Sequence, residues 1–246
     1  MKRALIDLRS VLWTGLMAGR DKEFGKKVQF NGKEVFVNSA EYGYDNAIDH
    51  VMLVLDDLRI QPRDVILVDD GRNSKLMRTM MFPGYKAGRD QAEEQTIEFN
   101  KAKEMFVDAL LGVGAQMAWQ DNVEADDVLG YLAKNLKGER YIVTNDGDLA
   151  VLIDPDNGVH LWQRGVVDRN PFGPFDPKYI TVYKALVGDS SDKYPGAYKF
   201  GDGAFLKLLE RFGEESLAMM EDLIVRKKLL DLHEDVAEMK ELQRVI

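Results

Sequence analysis

The chain has 246 residues, 45% of them hydrophobic and 30% charged, with three His, no Cys and a formal charge of -9. This length supports one large core plus a small appendage, and the absence of Cys excludes disulfides and thiolate metal ligands. No stretch of about 18 apolar residues offers a membrane span, and Met1-Lys2-Arg3 runs straight into Ala4-Leu5-Ile6 without a signal-type pattern, so the expected compartment is the cytoplasm.

In chain order, Ala4 to Leu8 reads as a short buried strand carrying Asp7, a charge that is costly in a core unless it reaches a mouth or an ion. Val28 to Phe30 and Lys33 to Phe36 flank Asn31-Gly32, a strong hairpin signal. Tyr44 to Leu58 has helical spacing through Ala47, Ile48, Val51, Leu55 and Leu58. Val65 to Val68 is a second β-rich run, ending on Asp69 and followed by Asp70-Gly71 as a turn.

From Gly71 to Arg89 the bases Arg72, Lys75, Arg78, Lys86 and Arg89 stand with no acid among them, interleaved with Phe82 and Tyr85. A solvated face usually mixes both signs, whereas basic residues with aromatics between them suit phosphates and stacked bases. Ala92 to Leu111 returns to a helical pattern. Ala115 to Trp119 is a short strand, Ala125 to Leu136 a helix, Arg140 to Thr144 a strand and Val159 to Trp162 an edge strand. Strands alternating with helices predict an α/β fold with a mostly parallel sheet covered on both faces.

Two acidic stretches organise this pattern, Val123-Glu124-Ala125-Asp126-Asp127 and Thr144-Asn145-Asp146-Gly147-Asp148. Each alone also fits a helix cap or a turn. Together they would crowd five carboxylates into one volume, which a divalent cation relieves, and oxygen-only ligands favour Mg²⁺ or Mn²⁺ over zinc. Asp7, Asp69 and Asp146 each sit at or just beyond the end of a different strand, at the sheet edge where ligands of such folds bind. Asp189 and Asp192 complete nine candidate ligand carboxylates, and setting these nine aside brings the formal charge to zero.

Arg169 to Pro177 is rich in Pro, Gly and Phe and marks a boundary. Beyond it, Tyr179 to Val187 and Ala204 to Phe212 read as helices around Gly188-Asp189-Ser190-Ser191-Asp192-Lys193 and a glycine-punctuated turn. Such a helix, hairpin, helix unit can grip a phosphate backbone with free amides, although Gly188 to Asp192 by itself also fits an Asx turn. Glu214 to Ile246 is amphipathic and acidic, and no chemistry is assigned to it.

These residues, in this order, resemble the flap endonuclease and 5′-3′ exonuclease family in its bacterial and phage form. The likeness rests on Asp7, Asp69, Phe82-Pro83-Gly84-Tyr85-Lys86-Ala87-Gly88-Arg89, Glu124-Ala125-Asp126-Asp127, Thr144-Asn145-Asp146-Gly147-Asp148-Leu149, Gly188-Asp189-Ser190-Ser191-Asp192 and Leu206 to Gly213. It implies a PIN-like nuclease domain over residues 1–176, with a basic arch near 71–100, and a helix-hairpin-helix-like subdomain with C-terminal helices over 177–246. It further implies two Mg²⁺ ions, with Mn²⁺ as a substitute. Asp7, Asp69, Glu124, Asp126 and Asp146 match the first-metal neighbourhood, and Asp127, Asp148, Asp189 and Asp192 the remainder. Lys86 and Arg89 match the basic pair of the arch and act with Asp146 in catalysis, and Tyr85 matches a base-stacking aromatic. Arg72, Lys75, Arg78, Lys193, Gly196, Lys199, Gly201 and Gly203 are the further expected nucleic-acid contacts. The family's hairpin also holds a K⁺ on backbone carbonyls, and this chain departs from the family pattern there at Lys193, Lys199 and Gly203.

The substrate so implied is DNA with 5′ ends, flaps or gaps, extending to RNA in RNA–DNA hybrids, cut by a monomer without a membrane. Competing readings are a PIN-type RNA-cleaving nuclease, which lacks the arch and helical subdomain, and a non-catalytic DNA-junction binder, which would have lost metal acids. A haloacid-dehalogenase-like phosphatase is disfavoured by Arg9, which stands where a second Asp is needed.

Overall fold

The computed structural model describes residues 1–20, 23–81, 83–86, 90–191, 194, 196, 197, 200–213 and 243–245. Arg89, Asp192, Lys193, Lys199 and residues 214–242, all subjects of expectations above, lie outside the described residues.

The elements in chain order are β1 (Lys2–Asp7), α1 (Leu8–Met17), β2 (Lys26–Phe30), β3 (Lys33–Val37), α2 (Ala40–Leu58), β4 (Val65–Val68), α3 (Leu76–Met81), α4 (Glu93–Gly112) and β5 (Gln116–Trp119). There follow α5 (Ala125–Asn135), β6 (Glu139–Val143), β7 (Val159–Gln163), β8 (Val166–Val167), α6 (Ile180–Val187), α7 (Asp202–Phe212) and β9 (Gln243–Val245). The main sheet has the order β8-β7-β6-β1-β4-β5-β9. Its five central strands are parallel, and β8 and β9 pair antiparallel at the two edges. β2 and β3 form a separate antiparallel hairpin about Asn31 and Gly32, both at positive φ as a tight primed turn requires.

Parallel strands need crossover connections, and alternation along β1 shows how both sheet faces are covered. Ala4 and Ile6 join one buried cluster with Val11 of α1, Val51 of α2 and Phe106 of α4, while Leu5 joins a second with Ile66, Ile142 and Leu129 of α5. α1 and α2 touch through Gly15 and Gly43, since a Cβ added to Gly15 would lie 2.6 Å from the Gly43 carbonyl oxygen. Val182 of α6 and Phe205 of α7 are buried in the second cluster beside the sheet residues, and Phe205 packs edge-on against Phe175 and Tyr183. Helices α6 and α7 therefore share a core with the sheet. No helix among the described residues is long and apolar enough to cross a membrane.

Two expectations need correction. Val159–Gln163 is not the edge strand: it lies between β6 and β8, and the two-residue β8 takes the edge. The helix α1 begins at the residue after β1, with no linker, so a strand reading of Ala4 to Leu8 hides it even though Leu8, Val11, Leu12 and Leu16 have helical spacing.

Candidate metal centre

The parallel register sets the site. Asp7 is opposite Val68 and Ile6 opposite Val143, so Asp7, Asp69 and Thr144 emerge at one level on the same strand ends. Asp7 ends β1 and caps α1, its carboxylate accepting from the Ser10 amide at 3.0 Å and the Thr144 hydroxyl at 2.8 Å. The Thr144 hydroxyl also accepts from the Asp146 amide at 3.0 Å, and the Asp146 carboxylate accepts from the Asp148 amide at 2.9 Å. Glu124 stands at the N-cap position of α5, with Asp126 and Asp127 in its first turn.

A cleft of about 570 Å³ is lined by Asp7, Asp70, Glu124, Asp126 and Asp146, together with Arg9, Lys75 and Lys86. The acids fall into two groups. Asp7, Asp126 and Asp146 have no Lys or Arg ion pair among the described residues. Burial, opposed by the Ser10 and Thr144 hydrogen bonds and aided by Asp146 and Asp70, pushes Asp7 up to about 6. Burial, then Asp146 and Asp7, raises Asp126 well above the usual carboxylate range.

The other acids are held by internal cations. Glu124 accepts from Arg78, from Lys86 at 2.6 Å and from the Tyr85 hydroxyl at 2.7 Å. Burial works to raise its pKa, but Arg78 and Lys86 prevail and hold it below the ordinary value. Arg78 also donates to Asp127 at 2.6 Å, and Lys103 pairs with Asp69. Lys184 bridges Asp148 and Asp189. Burial opposes the Asp189 charge, yet Lys184 and Ser191 bring its pKa down to about 2, whereas burial and Asp146 lift Asp148 to about 6 against Lys184.

As the side chains stand, no group of three or more His, Asp or Glu among the described residues has a geometry that could hold an ion. Their chemistry nevertheless fits one. Asp7, Asp126 and Asp146 repel one another, with Lys86 only partly offsetting the charge at Asp126, and among the described residues none of the three has a paired cation and the buried Asp69 Oδ1 has no hydrogen-bond partner. Hard oxygen donors with uncompensated charge fit Mg²⁺ or Mn²⁺.

The structure brings Asp7, Glu124, Asp126, Asp146 and Lys86 to the cleft, with Tyr85 beside Lys86, whose ammonium lies 4.9 Å from the ring centroid. Lys86 adopts a φ of 50°, a strained value for a residue with a side chain. Lys75 lines the same cleft, and Arg72 projects into solvent next to Asp121. Arg78 does not face solvent: it is buried on α3 with its guanidinium turned to Glu124 and Asp127. Asp69 and Asp127 are buried, outside the cleft lining, and Asp148 and Asp189 form their own ion-paired unit with Lys184.

At the hairpin, Gly188 ends α6, Asp189 pairs with Tyr194, and Gly196 has a φ of +64°. A Cβ on Gly196 would lie 2.4 Å from the Gly188 nitrogen, so the turn closes only around glycine. Gly201 precedes α7 and Gly203 lies in its first turn, both facing open space.

Sequence reasoning missed Asp70, which accepts from the first amide of α5 at 2.9 Å and pairs with Arg9. Its place beside Gly71 reads as an ordinary turn. It also missed Lys103, one of two lysines in the mixed-charge α4, and Lys184, the one base of the apolar α6, because neither carries a local signal.

The model of a family described as the 5′-3′ exonuclease, N-terminal resolvase-like domain, matches residues 29–181. DNA polymerase I of Lactococcus lactis subsp. lactis strain IL1403 is 32% identical over 212 residues, covering 76% of this chain and 24% of the polymerase. The 5′-3′ exonuclease of Bacillus subtilis strain 168 is 28% identical over 220 residues, covering 78% of this chain and 72% of the relative. The chain thus spans about a quarter of the length of the polymerases it matches. Among solved structures, T5 5′-exonuclease with bound zinc superposes with a TM-score of 0.64 at 18% identity, covering 96% of this chain and 95% of that one. The bacteriophage T5 flap endonuclease, in a pseudo-enzyme-product complex with DNA and metal ions, gives 0.61 at 15%, covering 94% and 89%. At these identities the superpositions establish the fold.

Proposed function

Because the chain belongs to the 5′-3′ exonuclease, N-terminal resolvase-like domain family, we propose that it is a structure-specific 5′-nuclease that hydrolyses DNA phosphodiester bonds as a 5′-3′ exonuclease, a flap endonuclease or both. The observation that carries this reading is the convergence of Asp7, Asp126 and Asp146, without paired cations among the described residues, in a cleft that also receives Lys75 and Lys86. The same fold in T5 flap endonuclease accompanies DNA and metal ions.

Asp7, Asp126 and Asp146 would hold divalent ions, with Glu124, Asp69, Asp127, Asp148 and Asp189 around them and Asp192 adding a further donor. When bound, two such ions supply Lewis acidity and acidify a water for in-line attack. Ser10 and Thr144 fix the orientation of Asp7, so one carboxylate of the set is aimed before substrate arrives. Lys86 carries a positive charge to the cleft, where it can offset charge growing on the phosphate once water is excluded. Its present partner, Glu124, keeps Arg78 and Tyr85 when Lys86 turns to substrate. Arg89 would act with Lys86, and Tyr85 presents a ring for a base. Arg72 and Lys75 lead phosphates toward the cleft, Gly196, Gly201 and Gly203 offer the duplex a close backbone approach, and Lys193 and Lys199 would add positive charge.

Mg²⁺ is the proposed physiological ion, with Mn²⁺ substituting and K⁺ at the hairpin. The proposed substrates are 5′-ended, flapped or gapped DNA and RNA–DNA hybrids, acted on in the cytoplasm by a monomer in which α6 and α7 pack onto the nuclease core. The test is cleavage of 5′-labelled flap, blunt and RNA–DNA substrates with Mg²⁺ or EDTA, beside Asp146→Asn. Mg²⁺-dependent release of label that Asp146→Asn abolishes is expected. Tight DNA binding with no cleavage in Mg²⁺ or Mn²⁺ would overturn it in favour of a junction binder.

A further inference from the structure

Asp69 is held differently from the other acids near the strand ends. Its Oδ2 takes the Lys103 ammonium, and its Oδ1 is buried with no hydrogen-bond partner among the described residues. The Asp69 side chain is 5% exposed, but that of Lys103 keeps 30%. Lys103 comes from α4 and also lines a separate cavity of about 470 Å³, together with Asn100, Lys101, Glu104 and Asp108.

These facts describe a carboxylate with one oxygen free and the other covered by a charge that can leave. A buried carboxylate without any cation is costly, so the ion-free protein needs a partner there. Lysine suits a temporary one, being a compact point charge on a flexible stem rather than a planar two-point clamp. The separate cavity supplies solvent and two carboxylates for the ammonium when it withdraws.

We propose that Lys103 is a tethered counter-cation, a positioning residue that holds Asp69 in the ion-free protein and swings into the Glu104 and Asp108 cavity when a divalent cation takes that carboxylate. The proposal rests on the metal-dependent reading above. Its consequence is that Lys103 competes with the ion and keeps metal affinity lower than the carboxylates alone would give.

The test is calorimetric titration of the ion-stripped full chain with Mn²⁺ alone, without DNA, alongside thermal melting in EDTA, for the wild type, K103M and K103R. K103M should bind Mn²⁺ roughly ten-fold more tightly, the scale of one nearby charge in partly screened surroundings. It should also melt several degrees lower in EDTA and recover when Mn²⁺ is added. K103R, which keeps the charge but as a planar two-point clamp, should bind Mn²⁺ no more tightly than wild type. If K103M does not fold, K103Q carries the same ten-fold expectation. A lower melting temperature with unchanged or weaker Mn²⁺ affinity would mean a purely structural lysine and overturn the proposal. Absence of Mn²⁺ binding by the wild type would overturn the metal reading itself, and this proposal with it.

Discussion

Arg78 and Asp127 are joined at 2.6 Å between α3 and α5, and both side chains are almost wholly buried. The guanidinium that composition assigns to a phosphate-facing surface instead ties the basic segment to the acidic helix. Removing one member of a buried ion pair leaves the other charge uncompensated, a loss of about 3 to 5 kcal/mol. Arg78→Met should therefore lower unfolding free energy by roughly that amount in urea titration. A variant of wild-type stability with weakened DNA binding would show that Arg78 acts as a phosphate contact instead.

Acid titration should separate the two groups of carboxylates. Asp7 and Asp148, raised to about 6, and Asp126, raised well above its usual value, bind protons more readily folded than unfolded. Their contribution to stability is fully present below the unfolded value of about 4 and is lost as pH rises through the folded values. Asp189 and Glu124 are held low and stay ionised in both states above about pH 5.5, so they add no slope there. His50, lowered by burial, works in the opposite sense, since its contribution is lost as pH falls. Three carboxylates against one imidazole predict that the melting temperature in EDTA falls between pH 5 and 7.5. The increment given by Mg²⁺ should grow over the same interval, because ligand carboxylates must be ionised. Paired melting curves across that range decide it.

Gly71 sits where the segment after β4 passes the segment after β5, and a Cβ there would lie 1.7 Å from the Gln120 carbonyl oxygen. No side chain can rotate out of such a clash with backbone. Gly71→Ala should destabilise the fold by about 2 kcal/mol or more and weaken Mg²⁺ binding by moving Asp69 and Asp70. Wild-type unfolding together with wild-type Mg²⁺ affinity would count against this close approach.

Phe205 tests whether the helices beyond residue 176 are part of the nuclease core. It is buried in the cluster that also contains Leu5, Ile66 and Ile142. Phe205→Ala should cost about 3 to 5 kcal/mol in a single cooperative transition. Two separate transitions, with only the smaller one shifted, would mean that the C-terminal helices fold as a unit of their own.

Much of this architecture is legible in the residues themselves. Val65–Val68 is fully apolar between polar flanks, and Asn31-Gly32 fixes its hairpin, because both signals are local and steric. The acids Asp7, Asp69 and Asp146 are legible for the same reason: a charge at or just beyond the end of an apolar strand can be accommodated only at the strand's mouth. α1 is hidden because no turn residue separates it from β1.

What the sequence by itself determined is the alternation of strands and helices and the delivery of carboxylates to one sheet edge, since periodicity and the cost of burying charge act residue by residue. Which cation meets which acid was decided only by the tertiary structure. Arg78 to Asp127, Lys103 to Asp69 and Lys184 to Asp148 span 49, 34 and 36 residues. Such pairs exist only after the strand order β6-β1-β4-β5 has been chosen and α3, α4 and α6 have packed around it. Coulomb interactions follow distance in space, and no spacing along the chain encodes that distance.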